Sequence, residues 1–403
     1  MKKNKSTFSY DIAVVGGAGH VGLPLAVVFA SKGMRVLIYD INKAVLKSVR
    51  KGIFPFMEKG GEPLLREALK SGFLSLSSDP APIARSAKVI ITIGTPVDEF
   101  MNPDTSVMKH CLDDIFRYLR DEQLIILRST VYPGTTQWLH HYLRARGRKT
   151  KIAFCPERVV QGYAIEELQR LPQIISGVTP EAENEAAKLF GKIAPETVRL
   201  SPIEAEFAKL FNNAYRYIHF AIANQFYMIA NSAGIDYSRI LAGMKKDYPR
   251  AGDIPGPGFA AGPCLLKDTM QLAAFSDNQF SLGHAAVVIN EGLVLYLVGQ
   301  IENRFKLKDL KVGLLGMAFK ANSDDTRSSL SYKLKKALAF HAKEVLATDP
   351  YVVTDESLLP LKEVIRRSDL LILCAPHKEY KNLNLQGKKV IDIWNFFGRG
   401  VLV

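Results

Sequence analysis

The chain has 403 residues, of which 47% are hydrophobic and 23% charged, and its formal net charge is +13 at pH 7. This length predicts about two or three domains, and the composition is that of an ordinary globular protein. No apolar run of about 18 residues occurs, and Met1–Tyr10 lacks an apolar core, so we expect neither a membrane span nor a secretion signal. The basic residues are scattered without a nucleic-acid motif. We therefore attribute the positive charge to attraction of a small anionic ligand or to a generic basic surface, and expect no nucleic-acid partner.

The sequence contains four cysteines, at Cys111, Cys155, Cys264 and Cys374. They are far apart, without CxxC or other metal-ligand spacing, and the adjacent His140 and His141 belong to no HExxH pattern. We therefore expect free thiols in a reducing cytoplasm and no bound metal.

A glycine fingerprint lies between the first strand pattern, Asp11–Val15, and the first apolar helix pattern, Leu23–Ala30. In this context Gly17 allows the tight turn, Gly19 lets the backbone approach a pyrophosphate, and Gly22 lets the helix pack on the strand. The sequence therefore predicts a dinucleotide-binding turn whose cofactor contacts are Gly17, Gly19, His20, Val21 and Gly22.

The residue after the second strand pattern, Arg35–Tyr39, indicates which dinucleotide is bound. Asp40 can accept hydrogen bonds from both ribose hydroxyls and would repel a 2′-phosphate. The predicted cofactor is therefore NAD.

Polar residues follow three further strand patterns, Lys88–Ile93, Gln123–Leu127 and Ile152–Phe154. Open α/β sheets bind ligands beyond the carboxyl ends of their strands, so these residues are predicted to lie at the site. They are Thr95, Thr130 and Glu157, the two threonines being cofactor contacts. Ordinary turn chemistry is the alternative for all three.

The pattern changes at Ser201, where residues 202–233 predict one long helix. Lys209 and Asn213 are four residues apart on it and therefore share a face. We interpret this helix as a connector between domains or as a dimer helix, and a solvent-exposed lysine is the alternative for Lys209. Further helices are predicted at Tyr237–Lys245, up to Phe275, and at His284–Phe305.

Gly256–Asp268 is rich in glycine and proline and is predicted to be a loop that presents Cys264 where a helix begins. Unpaired N–H groups and the positive end of the helix dipole favour a thiolate there. Asp268 lies one turn further along on the same face. The alternative for Cys264 is a buried, small hydrophobic residue.

A second α/β unit is predicted from Lys311 onwards, without a GxGxxG motif. We interpret it as the binding domain of a different nucleotide ligand, with Lys320 and Arg327 as phosphate-binding cations. The predicted fold class is thus α/β, with two Rossmann-like doubly wound domains joined by a long central helix and a helical middle domain. The predicted domains are 1–200 (NAD binding), 201–306 (helical, carrying the cysteine loop and dimerising) and 307–403.

These residues together resemble the nucleotide-sugar 6-dehydrogenase family, also called the UDP-glucose/GDP-mannose dehydrogenase family, from Val14 to about Asn395. The motifs that carry the resemblance are Ser129-Thr130-Val131, Pro156-Glu157, Glu204–Asn213, Gly258–Asp268, Phe319-Lys320 and Asp325-Thr326-Arg327. The resemblance implies oxidation of a sugar C6 alcohol to a carboxylate by two NAD. A thiolate serves the second oxidation, because a thiohemiacetal can lose hydride to give a thioester that water hydrolyses.

The same resemblance implies individual roles. Cys264 is the nucleophile, Lys209 the cation or base at the C6 oxygen, and Asn213 an oxyanion donor. Asp268 activates water, assisted by Thr130 and Glu157. Lys320 binds the UDP pyrophosphate, and Arg250 resembles an arginine that reaches the neighbouring subunit's sugar. The implied substrate contacts are Glu157, Arg158, Val159, Lys209, Asn213, Arg216, Arg250, Gly258, Phe259, Lys320 and Arg327.

The choice of sugar is indicated by Ser129–Thr135, Pro156–Gly162, Tyr215–Tyr217 and Ala261–Asp268, which look like the N-acetylhexosamine branch of the family. UDP-N-acetyl-D-mannosamine is the expected substrate, with the uronate used for surface polysaccharide, and placement suggests Arg158 near the sugar's 2-substituent. UDP-GlcNAc, UDP-GalNAc and UDP-glucose stay open as substrates, because epimers differ only in the direction of one group.

Two further classes of protein compete with this interpretation, a two-electron β-hydroxyacid dehydrogenase and a non-catalytic NAD-binding protein. The family and the long helix suggest a homodimer or a higher oligomer.

Overall fold

The computed structural model of the chain describes residues 8–94, 96–98, 103–385 and 387–403. Main-chain contacts divide it into two compact units at Phe211 and Asn212. This division falls within the longest helix, α8 (Pro202–Ser232). The domain boundaries expected at 200/201 and 306/307 stay a prediction.

The strands of the first unit are β1 (Tyr10–Val15), β2 (Val36–Tyr39), β3 (Leu74–Ser77), β4 (Ser86–Ile91), β5 (Leu124–Leu127), β6 (Lys151–Phe154), β7 (Gln173–Gly177) and β8 (Thr197–Arg199). Within the described residues they form one sheet in the order β3-β2-β1-β4-β5-β6-β7-β8. Only β6 and β7 pair antiparallel. The order 3-2-1-4-5-6 is that of a doubly wound dinucleotide-binding sheet.

Helices cover both faces of this sheet, and they are α1 (Gly22–Ser31), α2 (Lys43–Arg50), α3 (Gly61–Lys70), α4 (Ser106–Phe116), α5 (Thr135–Ala145), α6 (Ala164–Arg170) and α7 (Pro180–Phe190). Side chains alternate across each strand, so β1 sends Ile12 and Val14 to one core and Ala13 and Val15 to the other. Burial on both faces explains the continuous apolar runs that predicted these strands.

The second unit contains α9 (Tyr237–Lys245), α10 (Leu265–Phe275), α11 (Ser281–Arg304), α12 (Leu330–Leu338) and α13 (Leu361–Arg367). Its strands are β9 (Lys311–Leu315), β10 (Glu344–Thr348), β11 (Leu370–Leu373) and β12 (Lys389–Ile391). They form a parallel sheet in the order β10-β9-β11-β12. The two Rossmann-like units and the intervening helices confirm the predicted fold class.

Helix α11 is long and apolar enough, by length and composition alone, to cross a membrane, although 39% of the apolar window is buried inside the protein. Leu293, Val294, Leu297 and Ile301 belong to the core of the second unit. Core packing is therefore a sufficient reason for the apolar sequence of this helix. The expectation of no membrane span stays a prediction.

Three strands of the first sheet, β3, β7 and β8, were not predicted from the sequence. β3 and β8 are the edge strands and are four and three residues long. Edge strands lack the continuous apolar run of a central strand, because one side needs no neighbour. The strands that were predicted begin and end within about two residues of those observed, the usual uncertainty of an element end.

Candidate active site

The glycine turn after β1 is built from close main-chain contacts. Gly16 has a positive φ of 72°. A Cβ at Gly17 would lie 2.7 Å from the Val14 carbonyl oxygen, and one at Gly22 would lie 2.6 Å from the Gly17 Cα. The left-handed residue of the turn is therefore Gly16, which the sequence did not single out, and Gly17 is needed for the close approach of the turn to the Val14 carbonyl.

Gly19 has only the Gly16 carbonyl oxygen, at 3.6 Å, near the position that a Cβ would take. Its open side fits close approach by a pyrophosphate. Val21 directly precedes α1 and provides no side-chain cap. The Leu23 N–H donates to the Gly19 carbonyl (3.0 Å) and Pro24 has no N–H, so of the first three helix residues only Gly22 can offer its N–H to an anion, and a cofactor contact by Val21 stays a prediction.

Asp40 lies beside this turn at the end of β2 and is partly exposed. Its Oδ2 accepts a hydrogen bond from the Ala18 N–H (3.0 Å), and its Oδ1 accepts one from the Asn42 N–H (2.9 Å). A carboxylate held next to the glycine turn fits the ribose contact of NAD. The residues present therefore fit the predicted cofactor.

His20 uses its ring for contacts within the protein. The ring lies 4.0 Å from that of Phe56, centroid to centroid, and its Nδ1 is 2.9 Å from Gln161 Nε2. A cofactor contact by His20 stays a prediction. Thr95 lies outside the described residues.

A buried arginine that the sequence did not single out organises the ends of β5 and β6. Arg128 Nη1 donates to the Cys155 carbonyl (2.8 Å) and to Gln173 Oε1 (2.6 Å), and Nη2 forms an ion pair with Glu157. The other oxygen of Glu157 accepts from the main-chain N–H groups of Arg158 (2.7 Å) and Val159 (3.0 Å). Both oxygens of Glu157 thus order the loop, and its assisting role at the substrate stays a prediction.

Arg158 is half-buried, and its guanidinium donates to the Pro172 carbonyl. Burial lowers the pKa of Arg158, while the nearby Glu157 opposes this effect. The guanidinium is thus committed to one main-chain bond, and its expected contact with the sugar stays a prediction. Thr130 lies two residues beyond Arg128, partly exposed, in the loop before α5.

A second buried carboxylate, that of Glu206 on α8, caps helix α5. Its Oε2 accepts from the Gly134 N–H (2.6 Å), and its Oε1 accepts from the N–H and hydroxyl of Thr136 (2.8 and 2.6 Å). Burial raises the pKa of Glu206 despite the opposing effect of these bonds. The cap fixes the end of the loop that carries Thr130. Lys209 follows one turn later on α8 and is partly buried.

Asp268, in the first turn of α10, is fully buried and paired. Asn213 Nδ2 donates to its Oδ2 (2.5 Å), and Lys267 Nζ lies 2.8 Å from its Oδ1. The structure therefore brings two of the predicted catalytic residues together in the second unit. Lys267 was not predicted as a site residue.

Cys264 occupies the N-cap position of α10 and is exposed. The structure therefore excludes the buried alternative. The other cysteines differ, because burial raises the pKa of both Cys111 and Cys155 to about 12, and Cys374 is also buried. The helix N-terminus favours a negative charge on the sulfur of Cys264.

The loop before Cys264 packs against the loop after β9. The Gly262 N–H donates to the Ser328 carbonyl (3.3 Å), and a Cβ at Gly262 would lie 2.6 Å from the Phe319 ring. Arg327 pairs with Asp325 through Nε and Nη2 (3.0 and 2.6 Å). The hydrogen bonds with Asp325 raise the pKa of Arg327, although burial acts in the opposite direction. Lys320 lies 6.0 Å from the centroid of the Phe319 ring.

The remaining predicted substrate residues are spread over the second unit. Gly258 and Phe259 are buried in the loop that leads to Cys264, whereas Arg216 and Arg250 are exposed. The guanidinium of Arg250 lies over the Tyr248 ring (5.0 Å). Among the residues that the structure describes, no group of three or more His, Cys, Asp or Glu could hold a metal.

Comparison with known proteins identifies the family. Models of the UDP-glucose/GDP-mannose dehydrogenase family match residues 10–194 (NAD binding domain), 203–292 (central domain) and 313–399 (UDP binding domain). The chain belongs to this family. It is an NAD-dependent nucleotide-sugar dehydrogenase, which confirms the predicted enzyme class and cofactor and excludes a non-catalytic NAD-binding protein.

Several relatives cover almost the whole chain. The UDP-N-acetyl-D-mannosamine dehydrogenase of Pyrococcus horikoshii is 31% identical over 386 residues, 93% of this chain and 91% of that protein. Its structure has a TM-score of 0.87 at 30% identity, covering 94% of this chain and 93% of the other. A UDP-glucose dehydrogenase from Pyrobaculum islandicum has a TM-score of 0.88 at 27% identity, covering 97% and 95%. Fold similarity therefore does not select the sugar.

Proposed function

We propose that this dehydrogenase oxidises the C6 hydroxyl of a UDP-N-acetylhexosamine, UDP-N-acetyl-D-mannosamine first, to the uronate through a covalent Cys264 intermediate. The observation that carries the proposal is the arrangement at α10. An exposed thiol lies at the helix N-terminus, and one turn further the buried Asp268 is bound by Asn213 and Lys267. Nucleophile, acid–base group and amide donor are thus supplied by one helix and its neighbour.

The second oxidation needs the thiol. The Cys264 thiolate adds to the C6 aldehyde carbon, and the amide of Asn213 donates to the oxyanion that forms. NAD, bound by the glycine turn and Asp40, supplies the hydride acceptor for each oxidation. Loss of hydride from the thiohemiacetal carbon leaves a thioester.

Hydrolysis then releases the product. Asp268 accepts a proton from water as the water attacks the thioester carbonyl, and the C–S bond breaks to regenerate the Cys264 thiolate. Lys267, whose Nζ lies 2.8 Å from Asp268 Oδ1, balances the charge of this carboxylate in its buried position. Lys209, one turn before Asn213 on α8, serves the first oxidation as the cation or base at the C6 oxygen. Thr130 and Glu157 assist the hydrolysis, Glu157 through the loop that its carboxylate orders.

The choice of sugar rests on the relatives and on the motifs. The relative from Pyrococcus horikoshii and a second from Methanocaldococcus jannaschii, 31% identical over 398 residues (97% of this chain, 91% of that protein), are both UDP-N-acetyl-D-mannosamine dehydrogenases. The uronate is a building block for surface polysaccharide, made in the cytoplasm. UDP-GlcNAc, UDP-GalNAc and UDP-glucose are the competing substrates.

The test is a panel of these four UDP-sugars with NAD, following NADH and the acid product. We expect UDP-N-acetyl-D-mannosamine to give the highest kcat/KM and two NADH per sugar. Cys264→Ala should retain binding of NAD and UDP-sugar but form no acid. One NADH per sugar with a free aldehyde, or full acid formation by Cys264→Ala, would overturn the covalent mechanism.

We propose further that the protein is a homodimer formed through α8. Five apolar side chains at spacings of three, four and seven residues are exposed along this helix: Phe211, Tyr215, Ile222, Phe226 and Ile229. Such spacing places them along one side of a helix, as in helix–helix packing. A second copy of the same helix would cover a stripe of this kind. Light scattering should give a dimer for the wild type and a monomer for Phe226→Glu/Ile229→Glu, whereas a wild-type monomer would refute the proposal.

A further inference from the structure

Two buried asparagines hold the main chain of the loop that ends at Cys264. Asn224 on α8 and Asn290 on α11 are 1% and 0% exposed. Asn224 Oδ1 accepts from the Gly258 N–H (2.9 Å), and its Nδ2 donates to the Gly258 carbonyl (3.0 Å) and to Asn290 Oδ1 (2.9 Å). Asn290 Nδ2 donates in turn to the Tyr217 carbonyl (3.0 Å). One side chain therefore binds both main-chain groups of a loop residue, and the second fixes its orientation.

The other side of Gly258 is closed by an aromatic ring. A Cβ at Gly258 would lie 2.2 Å from the Trp394 ring, so the glycine fits between the asparagine amide and this indole. Phe259 is buried, and its ring lies perpendicular to the indole with centroids 6.4 Å apart. The loop residue is thus restrained by hydrogen bonds on one side and by packing on the other.

This restraint lies six residues before Cys264. Gly262 provides a second fixed point through the Ser328 carbonyl and the Phe319 ring. The Cys264 carbonyl accepts from the Asp268 N–H (2.9 Å), so the thiol follows the position of the loop and of the first turn of α10. Glycine has little preference for one backbone conformation, so the glycines of this loop depend on such contacts to keep theirs.

We propose that Asn224 and Asn290 are positioning residues, which fix the loop Gly258–Cys264 and through it the sulfur that attacks the aldehyde. The inference rests on the proposed function of Cys264 as the nucleophile. The side-chain amide suits this task because it offers one donor and one acceptor in a single plane, matching the two main-chain groups of a residue. Their loss would leave buried main-chain groups without partners.

The test is hydrogen–deuterium exchange of peptides that contain Gly258, combined with steady-state kinetics. In the wild type we expect the Gly258 amide to be protected although it lies in a loop. Asn224→Ala should raise its exchange rate about tenfold or more. The same variant should lower kcat for acid formation about tenfold, with the KM for NAD unchanged, because a displaced reacting atom costs rate more than binding.

Asn231→Ala is the matched control. Asn231 lies two turns later on α8, is also buried, and donates to the Tyr296 hydroxyl (3.1 Å), away from the cysteine loop. It should lose thermal stability without changing the exchange of Gly258 or kcat. Asn290→Leu keeps Asn224 but removes its acceptor and the donor to the Tyr217 carbonyl. It should change the exchange of Gly258 and kcat in the same direction but less, and it provides the test if Asn224→Ala does not fold.

The proposal would be overturned if the Gly258 amide exchanged at the wild-type rate in both Asn224→Ala and Asn290→Leu. It would also be overturned if Asn231→Ala changed this exchange rate and kcat as much as Asn224→Ala does. Failure of the proposed function is distinguishable from this outcome. If Cys264→Ala still forms acid while Asn224→Ala speeds exchange at Gly258, the loop restraint stands and the covalent mechanism falls.

Discussion

The carboxylate of Asp268 has no exposure to solvent, and each of its oxygens faces a different partner. A buried charge is tolerated when it is paired and hydrogen-bonded, and Lys267 and Asn213 meet both conditions. The pairing also orients the carboxylate from two sides. In the proposed mechanism Asp268 activates water, and these two partners set the direction in which its carboxylate points.

Asp268→Asn tests the role of this carboxylate. The amide preserves the shape of the side chain but accepts no proton, so thioester hydrolysis should slow by roughly 100-fold or more. Rapid-quench kinetics should show a burst of NADH followed by a slow phase, with the sugar bound covalently to Cys264. Hydrolysis at the wild-type rate would assign the water-activating role to another residue.

The buried carboxylate of Asp349, which follows β10, predicts that the stability of the protein depends on pH. Burial acts to raise the pKa of Asp349, but the bond from His377 and the main-chain N–H groups outweigh it and hold the pKa below its usual value of 3.8. A lowered pKa contributes stability that is present above about pH 4 and is lost as the pH falls through the folded value. Urea denaturation should therefore show a larger loss of unfolding free energy between about pH 5 and pH 3 for the wild type than for Asp349→Asn. Equal losses would contradict the assignment.

At the scale of elements, a side chain of α8 in the first unit caps the N-terminus of another helix, α5. The Gly134 and Thr136 N–H groups at the start of α5 find no acceptor on α5 itself and bind Glu206 of α8 instead. The cap comes from a residue about 70 positions away in the sequence. It therefore connects the loop after β5 to the first turns of the long helix.

Glu206→Ala removes this cap and should lower the free energy of unfolding by about 1–2 kcal/mol. Glu204→Ala is the matched control, because Glu204 is exposed and accepts only from the N–H and hydroxyl of Ser201, directly before its own helix. It should leave the free energy of unfolding closer to that of the wild type than Glu206→Ala does. Denaturant midpoints of the two variants measure the difference, and a Glu206→Ala midpoint as high as that of Glu204→Ala would contradict the capping role.

The sequence predicted features that depend on a local pattern of residues. It did not predict hydrogen-bond and ion-pair partners that are distant in sequence. Helix α9 was predicted at its observed bounds, and Cys264 was placed correctly at the start of a helix. The partners of these residues were not predicted, because Arg128 with Glu157 and Asn224 with Gly258 are about 30 residues apart in sequence. Gly16 was missed as the left-handed residue, since the GxGxxG pattern begins one position later.

At the scale of the whole molecule, the two Rossmann-like units use the same turn differently. In each, a glycine with positive φ follows the first strand, Gly16 or Gly316, and an N–H two residues later donates to the acid that ends the next strand. Asp40 is partly exposed, whereas Asp349 is covered by His377, which lies 3.0 Å away. The first acid is thus available to a ribose and the second is not, which agrees with an NAD domain and a UDP domain of different chemistry.

A substitution in one unit should therefore weaken the binding of one ligand, NAD or UDP, without affecting the other. Lys320 is the proposed cation for the UDP pyrophosphate, so Lys320→Ala should weaken UDP binding about tenfold or more and leave NAD binding unchanged. Asp40→Ala should do the reverse. Isothermal titration calorimetry with each ligand measures both effects, and a loss of NAD affinity in Lys320→Ala would contradict the assignment.

The contrast among the four thiols has a practical consequence. Cys264 is exposed, whereas burial holds the pKa of Cys111 near 12 and encloses Cys155 and Cys374. A maleimide dye should therefore attach at a single position of the native enzyme without prior replacement of any cysteine. Under the proposed role of Cys264, such a fluorophore would report the binding of a nucleotide sugar in real time.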